Sequence, residues 1–197
     1  KNNIQVAAQN VSATKEGAFT GEVTAIALKD LGINWAIIGH SERRSLYNES
    51  SDVVATKILL AEEQGLQSIA CIGETKQERD QKKTLDVVFS QLNAIKSRKP
   101  DWTKIVIAYE PVWAIGTGVT ASPEQAQEVH SEIRKWLVKE VSQMAADDTR
   151  IIYGGSVTDD NASVLIKQKD IDGFLVGGAS LKPGFTKIVE SYKNKFI

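Results

Sequence analysis

The sequence predicts an α/β fold in which short parallel strands alternate with amphipathic helices. Three observations predict it. Short β-branched runs recur along the 197 residues, and most are apolar throughout, as expected of strands covered on both faces. Longer segments with apolar residues three and four positions apart lie between them. No stretch rich in Pro, Gly or Ser divides the chain, so one domain over residues 1–197 is expected.

The expected strands are Ile4–Ala8, Trp35–Ile38, Ser68–Ile72, Lys104–Tyr109, Ile151–Tyr153 and Gly173–Val176. Leu85, Val88, Phe89, Leu92 and Ile95 form one helical stripe, and Ala126, Val129, Ile133, Trp136 and Leu137 another. The second helix has a start signal: Ser122 can cap it, Pro123 suits its first position, and Gln125 can complete a capping box. Gly65 is placed to end the helix before the third strand in a left-handed turn. Six strand-then-helix units follow, and strict alternation leaves a closed barrel or an open doubly wound sheet.

Composition excludes several classes. With 24 basic and 25 acidic residues and a net charge of −1, no bulk charge favours nucleic acid or an anionic membrane. The single Cys71 cannot form an internal disulfide, and its apolar surroundings predict a buried, inert thiol. No apolar run approaches the roughly 18 residues of a membrane span and no signal peptide opens the chain, so a cytoplasmic protein is expected. Two histidines and one cysteine so spaced do not suggest a metal site. His130, beside its helix's apolar stripe, is expected at the surface.

Chemistry concentrates at strand exits. Glu110 directly follows an apolar strand, and Pro111 prevents a helix from starting there; a carboxylate at the mouth of an apolar site can serve as a general base. The next segment, Pro111 to Gly118, carries Val112, Trp113, Ala114 and Ile115 between a Pro and a Gly-Thr-Gly end, the composition of a loop that closes over a ligand. Gly116-Thr117-Gly118-Val119-Thr120-Ala121 also fits a dinucleotide pattern, but it begins too far beyond the strand for a Rossmann turn. His40 follows Trp35–Ile38 and precedes a helical turn whose amino terminus disfavours the imidazolium, so a neutral ring able to donate to a carbonyl oxygen is expected. Gly154-Gly155-Ser156 and Gly177-Gly178 end the last two strands, where backbone N–H groups can approach an anion.

Together these segments resemble the triosephosphate isomerases. Gly39-His40-Ser41-Glu42-Arg43-Arg44 is similar to that family's histidine motif, and Ala108 to Gly118 to its glutamate and mobile loop. Tyr153-Gly154-Gly155-Ser156 and Gly173 to Ser180 are similar to its phosphate-binding turns, and Gln9–Glu22 to its dimerisation loop. The resemblance implies a (β/α)8 TIM barrel, here incomplete, with six βα units corresponding to the third to eighth and two amino-terminal units missing. It implies interconversion of dihydroxyacetone phosphate and glyceraldehyde 3-phosphate through an enediolate. Glu110 would be the base and His40 the partner of the oxyanion, while Gly116, Ser156, Gly177 and Gly178 would hold the phosphate. It also implies a homodimer and no cofactor. The missing units would carry an Asn and a Lys of the substrate site, so the isolated chain is expected to be poorly folded or inactive. The alternative is an inactive remnant that only binds phosphate ligands or other proteins.

Overall fold

The computed structural model describes residues 4–115 and 120–196. In chain order the elements are β1 (Ala7–Ala8), α1 (Ala25–Asp30), β2 (Trp35–Ile38), α2 (Ser41–Tyr47), α3 (Ser51–Glu63), β3 (Gln67–Ile72), α4 (Lys76–Asp80) and α5 (Thr84–Ser97). They continue with β4 (Ile105–Tyr109), α6 (Pro123–Glu140), α7 (Gln143–Asp148), β5 (Ile151–Tyr153), α8 (Ala162–Leu165), β6 (Gly173–Phe174) and α9 (Phe185–Glu190). The α/β class and the six strands therefore stand as the sequence predicts. The chain forms two compact units, residues 1–72 with 90–106, and residues 73–89 with 107–197.

In the first unit β1 pairs parallel with β2 and β2 with β3, with Ala7 opposite Trp35 and Ala36 opposite Ser68. Parallel neighbours require crossovers, which the intervening helical segments supply. β1 is shorter than the expected Ile4–Ala8. Its ladder covers only Ala7 and Ala8, and the Gln5 side chain accepts instead from Trp35 Nε1 at 2.7 Å. Ser50 caps α3 by accepting from Val53 N–H, and Gly65 takes φ +74° just beyond that helix, the left-handed turn expected of it. The face of α3 carrying Val54, Ala55, Ile58 and Ala61 is buried, as is Cys71 on β3.

In the second unit β5 pairs parallel with β4 and with β6, placing Tyr109 opposite Tyr153 and Tyr153 opposite Phe174. β4 starts at Ile105 rather than Lys104, because Asp101 accepts from Thr103 N–H and winds Trp102–Lys104 into a 3-10 turn. β6 is shorter than predicted; the last bond of its ladder runs from Leu175 N–H to Tyr153 O. The Ser122/Gln125 capping box of α6 forms with Pro123 at the helix start. Each large apolar side chain that α6 fully buries contributes about 1.5–3 kcal/mol, and Ile133 and Leu137 are both fully buried. His130 lies in the middle of this stripe with no exposed surface, so its expected surface position is wrong. It stands four residues after Ala126 and three before Ile133, which places it on the buried face. Among the described residues, no helix is long and apolar enough to cross a membrane.

Candidate active site

In the first unit, β2 delivers His40. Gly39 takes φ +78°, and a Cβ there would stand 2.9 Å from Val54, so the chain can turn off the strand at this point only with glycine. His40 then caps α2, its Nδ1 accepting from Glu42 N–H at 3.3 Å. A nitrogen that accepts from an amide holds no proton, which leaves the proton of the neutral ring on Nε2. The Glu42 carboxylate, 3.7 Å from the same Nδ1, would favour the opposite tautomer, but its side chain is 74% exposed and it lies beyond hydrogen-bond range. The amide decides the tautomer.

The charged residues after His40 have structural duties. Arg44 donates to Gly39 O, to Cys71 O at the end of β3 and to Ser51 Oγ at the head of α3. Arg43 pairs with Glu49 at 2.8 Å and lies over the Tyr47 ring. Glu49 also receives Lys57, whose ammonium donates to Asn10 at 2.9 Å. Burial pushes the Glu49 carboxyl up, but the bonds from Lys57 and Arg43 outweigh it and hold it below the ordinary carboxylate range. This chain of contacts fixes the start of the loop Gln9–Glu22 against α3.

In the second unit, β4 delivers Glu110, which is only 2% exposed. Two glycines lie against it. A Cβ on Gly154 would come within 2.9 Å of Glu110 Cγ, and one on Gly73 within 1.8 Å of the Glu110 carbonyl oxygen. Gly154 N–H donates to Tyr109 O at 2.8 Å, so β5 passes close to the base of the Glu110 side chain. Ser156 follows two residues later in a turn held by Asn161, whose Nδ2 donates to Ser156 O at 2.9 Å. Gly177 and Gly178 follow β6 and are exposed; a Cβ on either would meet nothing within 4 Å. Neither packing nor a positive φ requires glycine at those two positions. Gly116 lies outside the described residues, as does most of the dinucleotide-like stretch that begins with it.

The structure therefore brings Glu110 against the turn that leads to Ser156, and places Gly177 and Gly178 at the exit of the neighbouring strand. It also presents a group that the sequence analysis missed. Glu74, directly after the glycine that follows β3, is completely buried. Tyr109 Oη donates to it at 3.0 Å, Trp113 Nε1 at 2.9 Å and Thr84 Oγ1 at 3.4 Å, and Arg79 reaches it at 3.4 Å while lying over the Trp113 ring. Val112 N–H adds a bond to Glu74 O at 3.2 Å. The 3-10 turn Val112–Ala114 that follows Glu110 is thus held to Glu74 by both main chain and side chain. Burial and the Glu74 charge push the Tyr109 hydroxyl well above its ordinary pKa, so it stays protonated and donates. A polar residue at a strand exit was the available signal, and Gly73-Glu74 after β3 has the same form as Gly39-His40 after β2.

Comparison with known proteins identifies the family. A family model described as triosephosphate isomerase matches residues 1–192. The chain is 58% identical over 188 residues to "Triosephosphate isomerase, cytosolic" of Oryza sativa subsp. japonica, an alignment covering 95% of this chain and 74% of that one. It is also 58% identical over 190 residues to triosephosphate isomerase of Emericella nidulans, covering 95% and 76% respectively.

Proposed function

The chain belongs to the triosephosphate isomerase family, and from that premise we propose that Glu110 and His40 carry the family's reaction here. The function is the interconversion of dihydroxyacetone phosphate and glyceraldehyde 3-phosphate, an isomerisation by proton transfer. Glu110 takes a proton from the carbon beside the substrate carbonyl and returns it to the neighbouring carbon. His40 donates from Nε2–H to the oxygen on which charge develops, then moves protons between the two oxygens of the enediolate. This division of labour between a carboxylate base and a neutral imidazole is established for the family.

The observation that carries the reading is the placement of Glu110, a carboxylate 2% exposed at a strand exit and backed by the glycines at 73 and 154. Backing at the main chain and at Cγ limits where this base can stand, and proton transfer depends on that position. The neutral form of His40 has its own support in the Glu42 amide that occupies Nδ1. The exposed amides around Gly177 and Gly178, with Ser156, would take the phosphate, and Gly116 would join them. Glycine at 177 and 178 leaves room for phosphate oxygens to approach the main chain. The step moves protons without net oxidation, so it requires no cofactor.

The test is the steady-state rate on glyceraldehyde 3-phosphate. Glu110→Asp, which withdraws the carboxylate by one methylene, should lower kcat by roughly 10²–10³ with little change in KM. A kcat within threefold of the parent removes Glu110 from the chemistry. Affinity for a phosphate ligand without turnover in the parent itself would favour the binding remnant.

The same reading extends to assembly and location. Ser12 N–H donates to Val23 O at 2.8 Å and closes the loop Gln9–Glu22, which leaves Phe19 half exposed. An exposed aromatic on an anchored loop suits a homodimer contact, and Phe19→Asp should shift the sedimentation coefficient towards that of a monomer. A cytosolic relative supports a cytoplasmic location.

A further inference from the structure

His130 has no place in the chemistry described so far, yet it is the centre of an aromatic cluster in the second unit. It is fully buried on α6. Its ring stands edge-on to Tyr109, with centroids 5.8 Å apart and planes at 82°, and lies 6.2 Å from the Tyr153 ring, tilted at 46°. Edge-to-face contacts of this kind fix ring orientation. Nδ1 lies 3.0 Å from the Asp170 carbonyl oxygen, which can only accept, so Nδ1 carries the proton. Nε2 is buried with no hydrogen-bond partner among the described residues. Desolvation holds the ring neutral, with a pKa lowered to about 4.

The two tyrosines that His130 touches stand opposite each other on β4 and β5, one directly before Glu110 and the other directly before the glycine that packs on it. Tyr109 immediately precedes Glu110, and its hydroxyl binds the Glu74 carboxylate that also holds Trp113. Tyr153 immediately precedes Gly154, the glycine against the Glu110 side chain. The Tyr153 hydroxyl is buried beside the Ala121 backbone without reaching hydrogen-bond geometry, and burial raises its pKa to about 12. One buried ring therefore packs against both residues.

Building on the assignment of Glu110 as the base, we propose that His130 is a positioning residue for the Glu110 segment. Its imidazole wedges Tyr109 at the angle that keeps Glu74 bonded to Trp113. The Asp170 bond orients the wedge, and the wedge orients the tyrosine.

The test separates ring shape from hydrogen bonding. In the full protein labelled with 5-fluorotryptophan, the Trp113 ¹⁹F resonance is assigned by Trp113→Phe, which deletes it. His130→Asn keeps a donor near the Nδ1 position and removes the wedge. It should displace the Trp113 resonance and lower kcat about tenfold, with KM within twofold. His130→Phe keeps the wedge and loses the donor; it should leave the Trp113 resonance near its parent position and kcat within threefold. Tyr109→Phe removes only the hydroxyl and should displace the resonance in the direction seen for His130→Asn. That arm remains informative if His130→Asn fails to fold.

The proposal is overturned if His130→Asn lowers only the melting temperature while resonance and kcat stay at parent values. It is equally overturned if His130→Phe is as damaging as His130→Asn, or if Tyr109→Phe leaves Trp113 unmoved. The fluorine signal does not depend on turnover, so an error in the role of Glu110 would appear in the Glu110→Asp kinetics and leave this readout standing.

Discussion

Glu49 in the first unit and Glu74 in the second are both buried carboxylates close to a strand exit, and the two are held by different chemistry. Glu49, in the first unit, is enclosed by cations: Lys57 and the Arg43 guanidinium both bond to its Oε1. Glu74, in the second, is held at closest range by two neutral donors, the Tyr109 hydroxyl and the Trp113 indole, with the Thr84 hydroxyl and Arg79 both at 3.4 Å. The carboxylate makes both sets of bonds charge-assisted, but around Glu49 the donors are ionised too, so each bond also joins opposite charges. The Glu49 group therefore acts as a permanent joint, tying Asn10 on one loop to α3. The Glu74 group draws its two nearest donors, Tyr109 and Trp113, from the stretch on either side of Glu110. Buried charge fastens a support in one case and rests a working segment in the other.

The largest effect should come from breaking the permanent joint. Glu49→Leu leaves the Lys57 ammonium buried without its carboxylate and should reduce unfolding free energy by about 3–5 kcal/mol. Glu49→Leu with Lys57→Met should recover most of the loss, because two apolar groups replace a buried ion pair at little net cost. Urea denaturation of the single and double variants measures both, and equal losses would show that the joint is not electrostatic.

Next comes acid. The His130 pKa falls from 6.5 to about 4 on folding, so the unfolded chain binds the extra proton first. The stabilisation is complete above pH 6.5 and is lost as pH drops towards 4, about 3 kcal/mol across that window. Glu49, with its folded pKa lowered from 4.5, contributes stability present above pH 4.5 and lost below it, so it adds to the fall only at the acid end. Denaturation at pH 5 and pH 7 should show the His130 slope in the parent and a flatter profile in His130→Phe.

Smaller again is Glu74→Gln, which keeps the acceptor oxygen and removes the charge. About 1–2 kcal/mol should be lost as the bonds from Tyr109 and Trp113 become neutral ones. The Tyr109 pKa should come down only part way, since burial is the larger cause of its rise; ultraviolet titration follows it. The smallest effect is Arg79→Gln, which removes a cation from the Trp113 face and should cost about 0.5–1 kcal/mol in urea. If this change matched Glu49→Leu, the contrast between the two carboxylates would be lost.

The six strands, the α6 cap and the exits bearing His40 and Glu110 were legible because each is a local signal. An apolar run followed by a polar residue, or Ser-Pro before a helical stripe, needs no knowledge of distant contacts. Glu74 also sat at a strand exit, but its meaning depends on Tyr109, Trp113 and Thr84, which lie ten to thirty-nine positions away. No pattern within a helical or strand period could connect them. His130 differs in another way: a polar residue beside an apolar stripe suggests the surface, but its spacing from Ala126 and Ile133 puts it inward. The phosphate-binding role proposed for Gly177 and Gly178 rests on their place at a strand exit and on the resemblance, and the open space beside them leaves room for an anion.

Gly73 carries one last consequence. At that position the main chain passes so close to the carbonyl of Glu110 that a single carbon would overlap it. Every other amino acid adds at least that carbon, so functional diversity in this protein has to route around position 73. A saturation library there should yield one surviving residue, while Gly177 and Gly178 should accept small replacements in the fold and reject them only when substrate turnover is selected.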